Sequence, residues 1–145
     1  MAQKALGRVF NSAPAADAVW INLKEIGGVS FVCYLAGAVG DTYTLQEARD
    51  AAGTGAQNLP IVTDYHTSTG NGSDQWVKRT QAAAATVVTA AAANQNAMVV
   101  EVRGPQLSDG YRYVRVSSTG AGTVNAVAQD LMSGRAPELL PAMGA

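Results

Sequence analysis

Apolar and polar residues alternate with a period of two along much of this chain. In "AVWINL" (18–23) Val19, Ile21 and Leu23 share one face, and in "YRYVRVSS" (111–118) Val114 and Val116 oppose Tyr113 and Arg115. That period is a strand's. "VSFVCYLAG" (29–37) is rich in β-branched and aromatic residues and too short for a buried helix, so it reads as a core strand. "LPIVTDYHT" (59–67), "QWVKRTQ" (75–81), "AMVVEV" (97–102) and "VNAVAQDLM" (124–132) read as further strands, with Pro60 at a strand edge or start. Turn chemistry separates them: Gly27-Gly28, Gly40-Asp41, "STGNGSD" (68–74), Gly104-Pro105, Asp109-Gly110 and "STGAGT". The expected core includes Phe31, Cys33, Leu35, Val99, Val102, Val114 and Val116.

Two segments carry mixed signals. Residues 82–93 are mostly Ala, the strongest helix former. Thr86, Val87, Val88 and Thr89 at their centre are β-branched and argue for a strand. In "TYTLQEARDAAGTG" (43–56), Thr44 and Glu47 form a capping-box pattern, and Leu45, Ala48 and Ala52 fall on one helical face. Yet Tyr43 and Leu45 also alternate as in a strand. With seven to nine short strands, Gly-rich turns and no β-α rhythm, the chain reads as all-β, a single-domain antiparallel β-sandwich, jelly-roll- or Ig-like. The domain spans residues 18–133, between an extended N-terminal arm (1–17) and a C-terminal tail (134–145). The arms lack periodicity but contain Val9, Phe10, Leu139, Leu140 and Met143. Disordered tails are usually poor in such residues, so these five are candidate assembly contacts.

Composition then narrows the function. The chain has 145 residues and is 48% hydrophobic, enough for one full core. Charged residues make up only 14%, against roughly 25% in typical soluble proteins, which suggests that part of the surface is hidden in an assembly. A GC-rich, Ala-rich composition would look the same. Net charge is −1 and the cations are scattered, so no nucleic-acid stripe is visible. No apolar run approaches the ~20 residues of a membrane helix. The start lacks a signal-peptide core. Cytosolic assembly is therefore expected, with neither nucleic acid nor membrane as partner.

Candidate chemistry is sparse. Cys33 is the single cysteine and lies inside an apolar strand, so a buried thiol without redox or metal role is expected. His66 is the single histidine, and a nucleophilic device would need it beside Cys33 or a serine. Asp64 and His66 share a strand face but lack a second ligand cluster, and they read as a surface polar pair on an edge strand. Glu47 and Asp50 could form an acid/base pair but are expected to be solvated. "GTG" (53–55) and "GAG" (120–122) do not complete a nucleotide-binding glycine motif and read as hairpin turns. Asn71-Gly-Ser73 matches a glycosylation sequon in a chain without a secretion signal. Trp20, Trp76 and the tyrosines could line a carbohydrate platform, though aromatics in a sandwich more often serve core or interface. The reading is a non-enzyme without cofactor or metal.

The order of segments carries a resemblance. "INLKEIGGVSFVCYLAGAVGD", "YTLQEARDAAGTGAQNL", "WVKRTQ", "MVVEVRGPQLSDGYRYVRVSS" and "AVAQDLMSGRAPE" follow one another across residues 18 to 138. This resembles the small β-rich structural proteins of tailed bacteriophages, of capsid decoration or minor capsid type. The resemblance implies that "TLQEA" is one strand of a hairpin that turns at Ala52–Gly55 and returns near Gln57–Val62. Strict alternation then places Glu47 on the Tyr43/Leu45 face, so the strand is expected to leave the core or bulge there. It implies no catalytic residues. It implies a virion protein that binds and stabilises the major capsid lattice, assembled in the host cytoplasm, with a homotrimer favoured by the three-fold sites of such shells. A head–tail connector or tail component is the alternative, and a carbohydrate-binding module for host attachment is a further one.

Overall fold

A computed structural model describes residues 12–14, 19–120, 122–132 and 144. Among these are eleven strands: β1 (Ser12–Pro14), β2 (Ile21–Asn22), β3 (Ile26–Tyr34), β4 (Thr42–Ala48), β5 (Gln57–Asn58), β6 (Val62–Ser68), β7 (Val77–Ala84), β8 (Thr86–Val88), β9 (Ala97–Arg103), β10 (Tyr113–Ser118) and β11 (Thr123–Leu131). Helix is confined to two short 3-10 turns, Ala93–Gln95 and Gly104–Gln106. The strands form two antiparallel sheets packed face to face. The larger runs β1-β11-β3-β9-β6-β7, and the smaller β2-β10-β4-β5, with β8 beside the start of β4. The protein is thus an all-β sandwich.

Alternation along each strand makes the core. Val29, Phe31 and Cys33 of β3, Met98, Val100 and Val102 of β9, and Val124, Ala126 and Ala128 of β11 point inward from the larger sheet. Tyr43 and Leu45 of β4 and Val114 and Val116 of β10 meet them from the smaller. Only the β4–β5 and β6–β7 connections stay within one sheet. The β7–β8 segment reverses at Ala85, where Gln81 Nε2 donates to the Val62 carbonyl at 3.2 Å and the Thr86 carbonyl at 2.9 Å. The amide of Gln81 thereby satisfies carbonyls left unpaired where the chain changes sheet. On the outer face of the smaller sheet, Trp20 packs with Ala48 and Tyr113, and the Arg115 guanidinium lies 4.3 Å from the Trp20 ring centroid.

The structure refines several sequence expectations. "TYTLQEA" is a strand, β4, and the turn that follows it leads to β5, which pairs with Gln46 and Glu47. The returning strand is cut short: β5 ends at Asn58, and the chain crosses at Leu59–Ile61 to start β6 in the other sheet. Pro60, without an amide proton, sits at that break. Glu47 neither bulges nor leaves the core. It is fully buried, and its carboxylate accepts hydrogen bonds from Gln57 Nε2 at 2.6 Å, Ser108 N at 2.9 Å and Ser108 Oγ at 2.5 Å. Gly27-Gly28 is not a turn but lies within β3. A Cβ on Gly28 would stand 2.7 Å from the Val102 carbonyl, so glycine is what lets β9 approach. Val99 is only half-buried, because Met98, Val100 and Val102 take the inward positions of β9. Ser12–Pro14, placed in the N-terminal arm by sequence, pairs with Asn125–Val127 as an edge strand. "GAG" (120–122) links β10 to β11 in the other sheet, so it is a crossover and not a hairpin.

Two outcomes test this packing. Cys33 is wholly buried on the inner face of β3, so a thiol reagent should label native protein far more slowly than protein unfolded in urea; equal rates would contradict the placement. Glu47→Ala leaves the Ser108 amide and the Gln57 amide group without their acceptor, and should cost about 3 kcal/mol in denaturant unfolding. A loss under about 0.5 kcal/mol would show that the carboxylate is solvated.

Candidate interaction surface

The connections of the sandwich fall at two ends with different chemistry. One end carries the loops 35–41, 69–76, 89–96 and 119–122. Strand register places them together: Thr123 pairs with Tyr34, Tyr34 with Ala97, Ala97 with Ser68, and Val77 with Thr67. In the smaller sheet Thr42 pairs with Val88 at the same end. These loops hold two charged residues, Asp41 and Asp74. The opposite end, made by 23–25, 49–56, 59–61 and 104–112, holds six: Lys24, Glu25, Arg49, Asp50, Asp109 and Arg112.

The charge-poor end is also where apolar side chains are exposed. Among the described residues, seven large hydrophobics stand out to solvent: Val19, Tyr34, Val39, Trp76, Val77, Val88 and Met132. Tyr34, Val39, Trp76, Val77 and Val88 lie at this end, with Val39 at 68% and Val88 at 62% exposure. Val39 and Val88 line one shallow depression with Gly40, Asp41, Thr42, Thr89, Thr119 and Gly120. Exposed Ala90, Ala91 and Ala93 continue the small-residue surface. Clustering of this kind marks an interaction surface more than scattered exposure does.

Both acids at this end are bound into the structure. Asp41 is 6% exposed and accepts from Thr42 N at 2.7 Å, Ser118 Oγ at 2.5 Å, Thr119 N at 3.2 Å, Thr119 Oγ1 at 3.1 Å and Gly120 N at 2.9 Å. Its own amide donates to Thr89 Oγ1 at 2.9 Å, and the Thr89 amide returns to the Asp41 carbonyl at 2.9 Å. Burial works to raise the Asp41 pKa. The hydrogen bonds from Ser118, Thr42, Thr119 and Gly120 outweigh it and hold the carboxyl below the usual aspartate value. Asp74 accepts from the Thr69 amide at 3.0 Å and from Thr69 Oγ1 at 2.5 Å, closing the 69–74 loop. Donors from within the protein thus meet each carboxylate, and the described residues of the four loops include no Lys or Arg.

The residues singled out for chemistry do not converge. Cys33 faces the core, while His66 projects from the outer face of the same sheet. Asp64 and His66 lie on β6, which is not an edge strand but sits between β9 and β7, and Asp64 Oδ2 is 3.5 Å from Lys78 Nζ. Among the described residues no three His, Cys, Asp or Glu side chains gather as a metal site. Glu47 points inward, whereas Asp50 accepts from the amides of Ala52 and Thr54 in its own turn, so the two carboxylates are separated. The aromatics are divided too: Trp20, Tyr43, Tyr65 and Tyr113 are buried. Val9, Phe10, Leu139, Leu140 and Met143 lie outside the described residues. Sequence reasoning missed the charge-poor end, although its signal is present: residues 26–40 and 80–100 contain no Asp, Glu, Lys or Arg.

Asp41 supplies a pH test. A depressed native pKa means that its stabilisation is present above the unfolded value and is lost as pH falls through the native value. Asp41→Asn should cost about 1–3 kcal/mol at neutral pH, and the gap to wild type should close below about pH 4. A gap that stays constant down to about pH 2 would contradict this account.

Compared with known proteins, the chain matches no family model, no curated protein and no solved structure, so the surface is interpreted from its own chemistry.

Proposed function

We propose that this protein is a virion structural component, a decoration or minor capsid protein of a tailed phage that binds and stabilises the major capsid lattice without catalysis. The observation that carries the reading is the charge-poor end, where five of the seven large hydrophobics exposed among the described residues meet loops rich in Ala, Gly and Thr. The segment order that resembles phage structural proteins supplies the lattice.

The physics suits a repeated, modest contact. Small neutral residues let another backbone approach closely, and burying them desolvates little charge. Loops already fixed by Asp41 and Asp74 lose little conformational entropy on docking. Each contact can be weak, because many copies on one shell, or a trimer on a three-fold site, multiply it.

The test is occupancy on shells purified without the protein. Val39→Asp with Val88→Asp should reduce affinity about tenfold or more, since each introduces a charge into the proposed contact. Both positions are exposed, so unfolding stability should change by less than about 1 kcal/mol. Asp109→Asn at the charged end should leave occupancy unchanged. If the double variant saturates shells with wild-type affinity, this end is not the contact.

A further inference from the structure

Asn71 is the one asparagine of the sequence followed by glycine, and its loop position gives that pairing a chemical consequence. We propose that Asn71 is a self-modification site, converting to aspartate and isoaspartate through a cyclic imide formed with the Gly72 backbone. The inference does not depend on the lattice reading, and it is tested on the isolated protein.

The step balances with water as the sole co-reactant. The Gly72 backbone nitrogen loses its proton to solvent and attacks Asn71 Cγ. A nitrogen–carbon bond forms, the Cγ–NH2 bond breaks as its nitrogen takes a proton from solvent, and ammonia leaves. Water then opens the five-membered imide at either carbonyl, giving aspartate or, with an extra methylene in the backbone, isoaspartate.

Three features favour that path. The first is access: Asn71 and Gly72 are both exposed, and a Cβ at Gly72 would meet nothing within 4 Å. The attacking nitrogen therefore has no side chain of its own residue beside it, and the space where one would stand is open. The second is polarisation. Asn71 Oδ1 accepts from Ser73 N at 2.9 Å and Ser73 Oγ at 2.5 Å. These donors lie on the oxygen that gains negative charge as the nitrogen adds, which is how an oxyanion hole lowers a barrier. Thr69 Oγ1 is also 2.6 Å from Oδ1, but it is 2.5 Å from Asp74 Oδ1 as well. Its single proton goes to the charged acceptor, so the Ser73 donors carry the effect. The third is the residue type. Gly72 holds φ +79°, which glycine adopts without strain, and it brings no Cβ to obstruct the peptide as Asn71 turns about ψ toward the attack geometry.

The product adds a carboxylate beside Asp74, at the end whose described loops otherwise hold only Asp41 and Asp74. The two carboxylates compete for the Thr69 and Ser73 donors, which loosens the 69–74 loop. Ageing therefore adds a third carboxylate to an end whose described loops hold two.

The experiment is peptide mapping by mass spectrometry of natively folded protein aged in warm neutral buffer, with isoaspartate scored by chromatographic separation from aspartate. Asn71 should convert at least tenfold faster than Asn22, Asn58, Asn94, Asn96 or Asn125. Ser73→Ala, which removes the hydroxyl donor from an exposed loop, should slow Asn71 several-fold. A natively folded protein in which Asn71 converts no faster than those other asparagines would overturn the proposal. So would an Asn71 that reacts only after unfolding in urea, because the loop would then be protecting the amide. An unchanged rate in Ser73→Ala would remove the polarising role and leave the proposal refuted in the form given.

Discussion

A carboxylate held away from water is tolerated only if donors meet it where it sits, and β4 is bracketed by two of them. Asp41 precedes its first residue and Glu47 is its last but one, at 6% and 0% exposure. Their donors come from remote segments: Ser118 to Gly120 for the first, Gln57 and Ser108 for the second. The two clusters therefore clamp β4 to β5, to the turn after β10 and to the loop before it. A one-residue slip of β4 would turn Tyr43 and Leu45 outward and draw both carboxylates away from their donors at once. Hydrophobic burial favours many registers of a Val- and Ala-rich sheet. The paired carboxylates favour one.

This explains how a strand with a helical signature becomes a strand. The capping-box reading of Thr44 and Glu47 gives Glu47 one local use, a backbone amide at an exposed helix start. The sandwich gives it three hydrogen bonds in a dry site and buries Leu45 and Tyr43 in the same step. Tertiary demand outweighs a propensity difference of a few tenths of a kcal/mol per residue.

The limits of legibility follow the same line. Alternation revealed β10 because the period of two is written in neighbouring residues, whereas β4 carries a helical signature beside its alternation and reads as a strand with the help of the resemblance. Alternation misplaced Val99, since "AMVVEV" has apolar residues on both faces and only the partner strands decide which face is covered. Gly27-Gly28 looked like a turn because nothing local shows that another backbone approaches Gly28. The charge-poor end was half legible. Its charge-free runs are visible in the sequence, but that residues 35–41, 69–76, 89–96 and 119–122 share one end depends on strand order, which joins segments up to 80 or so residues apart through long-range pairing. Asp41 belongs to the same class: a Gly-Asp pair reads as a turn until Ser118 and Gly120 arrive beside it.

In the proposed assembly, the asymmetry between the two ends does more than mark a surface; it sets an orientation. Burying the end that carries Lys24, Glu25, Arg49, Asp50, Asp109 and Arg112 would strip water from six charges, each needing a matched partner across the interface. Burying the other end strips water from one exposed charge, Asp74, which keeps its hydrogen bonds from Thr69, while Asp41 is already satisfied from within. Attraction between neutral, small side chains is weak and unspecific. The direction in which the subunit docks is then decided by the cost of the alternative, and the charged end stays in water.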